Sequence, residues 1–221
     1  MDVTSNQIRL LVQRNQLMAK RRSYTPVERQ RSVEAGRERI VAAARDLLED
    51  EDAEGFSIDA VARRAGVARM TVYNQFESKA GLLEALFDSL ALRGPLSQIA
   101  DVFKQPDVLV ALDDYVAIFG RFWTVNRRAH GRLRAAALHD DELADAMKRR
   151  NERRRKGVTE LVRRLGAKAR PIVPRDELVN VIYVLLSFET FDAFAGERRL
   201  PDDVTPVVRN LVRGVLGLPV A

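Results

Sequence analysis

The chain has 221 residues, 46% hydrophobic and 31% charged, with a formal net charge of +6, a pI near 10.0 and no cysteine. This composition excludes a disordered chain, and the lack of an apolar run near about 18 residues excludes a single membrane-spanning helix. The missing cysteines exclude disulfides and thiolate zinc sites and predict a cytoplasmic protein; separately, no cofactor and no metal are expected.

Residues 1–33 read as a basic, polar, flexible arm carrying Arg14, Lys20, Arg21, Arg22, Arg29 and Arg31, with Pro26 as a break. Two readings stay open there: a disordered extension, or an arm that touches phosphates or the minor groove. Met18 is an alternative start. No signal-peptide core is expected, because Arg9 interrupts the apolar Ile8–Val12 cluster.

From Glu34 the pattern becomes helical. Ile40, Ala43, Ala44, Leu47 and Leu48 recur at i, i+3, i+4, i+7 and i+8, one face of an amphipathic helix. The acidic stretch Glu49–Glu54 and Gly55 end it. Ser57 caps the next helix, which buries Ile58, Val61, Ala62 and Ala65 and stops at Gly66. Val72 and Phe76, four apart, turn a short third helix inward. Ser78 caps a fourth, with Leu82, Leu83, Leu86, Phe87 and Leu90 on one stripe until Gly94-Pro95.

Helices are predicted at about 107–125, 127–138, 141–165, 175–196 and 202–217. The fold class is all-α: an N-terminal three-helix helix-turn-helix domain over residues 34–92, joined to a larger C-terminal helical bundle over 96–221.

Helix, glycine turn and helix across residues 57–76 form the unit that reads duplex DNA. With Val72 and Phe76 inward, Arg69, Met70, Tyr73 and Asn74 fall on the opposite face. Arg69 and Asn74 suit base edges, with Gln75 assisting, and Met70 suits a thymine methyl. Thr71 and Tyr73 suit phosphates. Lys79, with the free N–H groups of the fourth helix, suits another phosphate. The plainer alternative is a solvated helix with Tyr73 at the surface, which the joint spacing of Gly66, Val67, Thr71, Tyr73, Phe76 and Lys79 disfavours.

These residues resemble the tetracycline-repressor (TetR) family over about residues 34–92. The resemblance rests on Arg39-Ile40, Ala43-Ala44, Phe56-Ser57, Val61-Ala62, Ala65-Gly66-Val67, Thr71-Val72-Tyr73, Phe76, Ser78-Lys79 and Leu82-Leu83. It implies a homodimer with one helix-turn-helix per subunit, a palindromic operator, and a C-terminal ligand domain whose small-molecule effector releases the operator. It also implies that Ser57 lies near a phosphate, that Arg69, Thr71, Asn74 and Gln75 hold contact positions, and that Tyr73 and Lys79 meet phosphates. Met70 and Gln75 depart from the residue types common at their positions, which bears on the operator sequence.

Dimerisation is expected through the last two helices, from Val181, Leu185, Phe188 and Asp192 with Val204, Val207, Val208, Leu211, Val215 and Leu216; an intramolecular core is the alternative. An effector pocket is expected from Tyr115, Phe119, Phe122 and Trp123, completed by Leu138, Leu143, Met147 and Phe188, with Glu189 and Asp192 either facing it or paired with arginines. The basic run Lys148–Lys156 reads as a solvated helix face with Glu152 paired to Lys156 or Arg149, in preference to a second DNA contact. His130 and His139 have no metal-ligand spacing, and no phosphate loop or nucleophile elbow appears, so an enzyme is not expected. The rival to an effector-responsive repressor is a ligand-independent DNA-binding protein, controlled by a protein partner or indifferent to sequence.

Overall fold

The computed structural model describes residues 26–50, 55–92 and 94–219. Among them the regular secondary structure is helical throughout, with no strand. Helix α1 spans Pro26–Glu49, so it begins ahead of the expected Glu34 and inside the stretch assigned to the arm. Pro26 opens this helix instead of breaking a segment. At the first helical position its missing N–H is not needed and its fixed φ suits the helix. Glu28 in the first turn complements the dipole. The rest of the expected arm, with Met18, and the acidic residues 51–54 lie outside the described residues.

From Ile40 onward α1 turns Ile40, Ala43, Ala44, Leu47 and Leu48 into a core. Helices α2 (Ile58–Ala65), α3 (Arg69–Phe76) and α4 (Lys79–Leu92) share it through Val61, Val72, Phe76, Leu82, Leu83 and Leu86. This core is closed by Ala129, Leu133, Leu143 and Ala146. So small a helical unit buries little apolar surface by itself. Burying Leu133 and Leu143 contributes about 1.5–3 kcal/mol each, a sizeable share of the roughly 5–15 kcal/mol that keeps a domain folded.

After Gly94 come a 3-10 turn at Pro95–Gln98 and the short helix α5 (Ile99–Lys104), which the hydrophobic periodicity did not mark because they are too brief to develop a stripe. Helix α6 (Val108–Val125) starts where Asp107 accepts the Leu109 N–H at 2.9 Å. Helices α7 (Arg127–Ala137) and α8 (Asp141–Leu165) follow, with Asp140 capping α8 by accepting the Leu143 N–H at 3.0 Å.

The single helix expected over 175–196 is two helices, α9 (Arg175–Leu185) and α10 (Phe188–Ala195), bent by 53°. Ser187 breaks it. Its backbone is extended (φ −73°, ψ 156°) and its hydroxyl accepts the Thr190 N–H at 3.2 Å, an N-cap embedded in an apolar run. The Leu186 carbonyl thereby loses its helical donor, and the Trp123 indole donates to it at 3.1 Å. A 3-10 turn at Pro201–Val204 leads into the last helix, α11 (Thr205–Val215). The second core gathers Leu112, Tyr115, Phe119, Trp123, Leu161, Ile182, Phe191 and Val208 from α6, α8, α9, α10 and α11. Among the described residues no single helix is long and apolar enough to cross a membrane.

Candidate functional site

The turn between α2 and α3 depends on Gly66, whose φ of 66° and ψ of 37° are left-handed. The Val67 N–H reaches back to the Ala62 carbonyl at 3.0 Å and closes the helix end. A side chain at Gly66 would strain this turn and change the angle between the helices. Ser57 holds the other end of α2, accepting the Ala60 N–H at 3.1 Å.

Burial of Val72 and Phe76 fixes the rotation of α3. Arg69, Met70 and Asn74 are exposed, with Met70 at 64%, while Thr71, Tyr73 and Gln75 are partly exposed. The Arg69 guanidinium donates to the Asp59 carboxylate at 2.9 Å and to the Tyr73 hydroxyl at 3.3 Å, and lies 5.6 Å from the centre of the Tyr73 ring. Tyr73 first, and then Asp59, raise its pKa further above the ordinary guanidinium value. One expected base reader and one expected phosphate contact thus form a single solvent-facing unit.

The start of α4 departs from the expectation of an open phosphate site. The Lys79 ammonium sits on the Asp140 carboxylate, 5.9 Å from the centre of the Phe56 ring, and its side chain is 15% exposed. Glu142 accepts the Ala80 N–H at 2.8 Å, and Ser78 accepts the Gly81 N–H at 3.0 Å. Burial pushes the Asp140 carboxyl up, but the hydrogen bonds from Lys79 and the Leu143 N–H outweigh this and hold it below its usual range. The charge of Lys79 and two of the amides are therefore engaged within the chain. Ser78 is the local cap that the sequence marks, whereas Asp140 and Glu142 come from the start of α8, about sixty residues on, and no local pattern marks them.

A cavity of about 700 Å³ lies between α4, the Pro95–Lys104 segment, α6 and α8. The four expected aromatics, Tyr115, Phe119, Phe122 and Trp123, all line it. Their ring centres lie 4.8 to 6.3 Å apart along α6. Leu92, Leu96, Ile99 and Phe103 complete the apolar wall.

The remaining pocket residues are elsewhere. Leu143 is fully buried in the core beneath α1–α4. Met147 lines a separate groove with Leu138 and Tyr183. Phe188 packs its ring 5.7 Å from Trp123 and 4.6 Å from His130. Glu189 pairs with Arg134 at 3.1 Å and Asp192 with Arg127 at 2.6 Å, so both take the arginine partners foreseen as one alternative.

The basic run of α8 is largely the exposed face expected, with Lys148, Arg149, Glu152, Arg153 and Lys156 at the surface, but its partners differ. Arg149 and Arg153 pair with Glu84, and Arg150 and Arg153 with Asp88, at 2.6 to 3.5 Å, tying α8 to α4. Glu152 pairs with Arg155 at 3.6 Å. Arg154 turns inward and is 7% exposed, its guanidinium 4.5 Å from the Tyr183 ring centre, 5.6 Å from Trp123 and 5.9 Å from Phe119. Its Nε has no hydrogen-bond partner, and burial lowers its pKa below the ordinary guanidinium value. Helical spacing carried the signal: Arg154 precedes the buried Val158 and Leu161 by four and seven residues. The Tyr115 hydroxyl donates to the Arg154 carbonyl at 3.1 Å, and burial pushes this phenol up. His130, between the rings of Trp123 and Phe188, has its pKa pushed down by burial to about 4.

Residues 40–86 match the family described as bacterial regulatory proteins, tetR family. The HTH-type transcriptional regulator EthR of Mycobacterium tuberculosis is 28% identical over 165 residues, 72% of this chain and 76% of its own. AlkX of the same organism, also an HTH-type transcriptional regulator, is 39% identical over 75 residues, 32% of this chain and 36% of its own. A TetR-family regulator from Rhodococcus has a similar structure, with a TM-score of 0.64 at 17% identity, over 82% of this chain and 98% of that one. NalD of Pseudomonas aeruginosa, a secondary repressor of a multidrug efflux pump there, gives 0.60 at 22% identity, over 84% and 98%. At those identities the solved structures speak to the fold, while the matched segment is the same one that forms the glycine-turned reading unit. The TetR-family match thus falls on the segment that folds into this unit, and similarity to HTH-type regulators over most of the chain makes it a DNA-binding transcriptional regulator.

Proposed function

We propose that the protein is a cytoplasmic homodimeric repressor that leaves a palindromic operator when a small molecule enters the cavity of its C-terminal domain, acting by binding and not by catalysis. The observation that carries this reading is the wall shared by the cavity and α4. Asp88, Ala91 and Leu92 of α4 line the cavity, and α4 follows the reading helix α3 directly. Arg150 and Arg153 grip the same helix through Asp88 and Glu84. A ligand that favours one setting of α4, where DNA favours another, lowers the affinity for DNA by linkage.

In this reading residues 34–92 read DNA, with Ser57, Arg69, Met70, Thr71, Tyr73, Asn74 and Gln75 as contacts, and residues 96–221 bind effector and dimerise. Support for the dimer comes from the last helices. The apolar stripe of α11 and its two flanking residues splits into an inner row, Val204, Val208, Val212 and Leu216, and an outer row, Val207 and Leu211, left 41% and 39% exposed. Val184 and Phe194 are exposed as well. A two-fold pairing of these surfaces would bury them and present two copies of α3 to half-sites about 34–36 Å apart. Both histidines lack catalytic surroundings: His130 is enclosed by rings, and His139 lies in the turn before α8.

Sequencing the genomic fragments retained by the purified protein at physiological salt tests the reading. A palindrome with half-sites a helical turn or more apart is the expected result. Broad recovery without a motif would overturn it in favour of sequence-indifferent binding.

A further inference from the structure

We propose that the cavity takes a carboxylate-bearing amphiphile, with an aliphatic or aromatic body against the α6 rings and its carboxylate on Arg154. The inference rests on the effector reading above and names the chemical class of the effector.

Arg154 lines the cavity although it is almost completely buried. Among the described residues no carboxylate lies within ion-pair distance of it, and its Nε has no acceptor. Glu189 acts on it only from a distance and is engaged by Arg134. A buried cation without a counter-charge is costly, and the stacked faces of Tyr183, Trp123 and Phe119 offset only part of that cost. Tyr183 also hydrogen-bonds the guanidinium, but as a neutral partner it leaves the cation without a counter-charge, and a planar fork of N–H donors matches a carboxylate.

With Arg154 included, the charges of the lining are net positive. Arg150, Arg153, Arg154 and Lys156 face Asp88 and Glu160, an excess of two positive charges. Asp88 is held by Arg150 and Arg153, and Glu160 by Arg163, so neither carboxylate is available to Arg154. The opposite wall is apolar, from Leu92, Leu96, Ile99 and Phe103. One charged pole facing an oily wall, in a space of about 700 Å³, fits a molecule with one anionic end.

Trp123 is the one tryptophan of the chain and lines this cavity, so its fluorescence reports occupancy. The probes are decanoate, decanol and decylamine, titrated separately into the full-length protein at pH 7 and below their micellar concentrations. Decanoate should quench Trp123 saturably and bind about tenfold to a hundredfold more tightly than decanol. Arg154→Met should abolish that preference while leaving the decanol affinity within about threefold; Arg154→Gln serves the same purpose if the methionine variant does not fold. Equal or better binding of decanol or decylamine would overturn the anion-selective site while leaving an effector cavity in place. Retention of the decanoate preference in both Arg154 variants would do the same. Failure of all three probes to bind would reject this inference, and a recovered operator would then show that the DNA-reading half of the proposed function stands without it.

Discussion

The ammonium of Lys79 rests on the carboxylate of Asp140, so the first turn of α4 is fastened to the cap of α8. In this arrangement Lys79 brings no net charge to a DNA backbone. Asp140→Asn keeps an acceptor for the Leu143 N–H and removes the counter-charge. We expect tighter binding to duplexes of any sequence and a salt slope steeper by about 0.9, one phosphate's worth. Adding Lys79→Ala should return both to the wild-type values. A slope unaltered by Asp140→Asn would show that Lys79 does not meet a phosphate even without its counter-charge.

Arg69 and Tyr73 are coupled through the 3.3 Å hydrogen bond on the exposed face of α3, yet they should fail differently. Arg69→Ala is expected to relax preference at one base position per half-site by about 1–3 kcal/mol. Tyr73→Phe should weaken all sequences nearly equally. Binding logos of the two variants check this, and an intact logo in Arg69→Ala would refute its base-reading role.

Gly157 lets the Tyr115 hydroxyl reach the α8 backbone. A Cβ at that position would lie 2.2 Å from the hydroxyl oxygen, so Gly157→Ala must displace the ring. We expect a loss of about 1–3 kcal/mol in denaturant unfolding. Tyr115→Phe removes the clashing atom and should recover part of the loss in the double variant. Strict additivity in this cycle would contradict the contact.

His130 should make the fold acid-sensitive. Its pKa falls from 6.5 to about 4 on burial, so between those values the unfolded chain binds a proton that the folded chain does not. Its contribution is complete above about pH 6.5 and is lost as pH falls towards 4, by at most about 3 kcal/mol. Thermal midpoints measured from pH 7.5 to 4 should fall over that window, and His130→Phe should flatten the fall.

Leu211→Glu places a charge on the outer row of α11. Sedimentation should show a monomer, and affinity for a two-half-site operator should drop to that of a single half-site. A dimer that persists would move the interface away from α11.

How much of this was legible in the sequence follows the range of each interaction. Gly66, Ser57 and the Val72–Phe76 spacing act within one or two helical turns, and the reading unit follows from them. So does the aromatic row of α6, whose four rings share one cavity. Ser187 was local too, but an apolar run on both sides of it masked the cap, and α9 and α10 merged in the reading. Pro26 is ambiguous by sequence because the same residue that stops a helix inside also starts one. The pairs Lys79–Asp140, Arg150–Asp88 and Arg153–Glu84 join residues sixty or more positions apart, and no periodicity carries such information.

Leu133 and Leu143 close the core beneath the reading helices, so the two halves of this chain are not interchangeable parts. A recombination joint at Gly94, the natural seam by sequence, would separate α1–α4 from the side chains that seal them. The reading head can be inherited by a new sensor only with a matching α7 and the first turns of α8. Within such a lineage, changes beneath α4 and changes at the start of α8 are therefore bound to occur together.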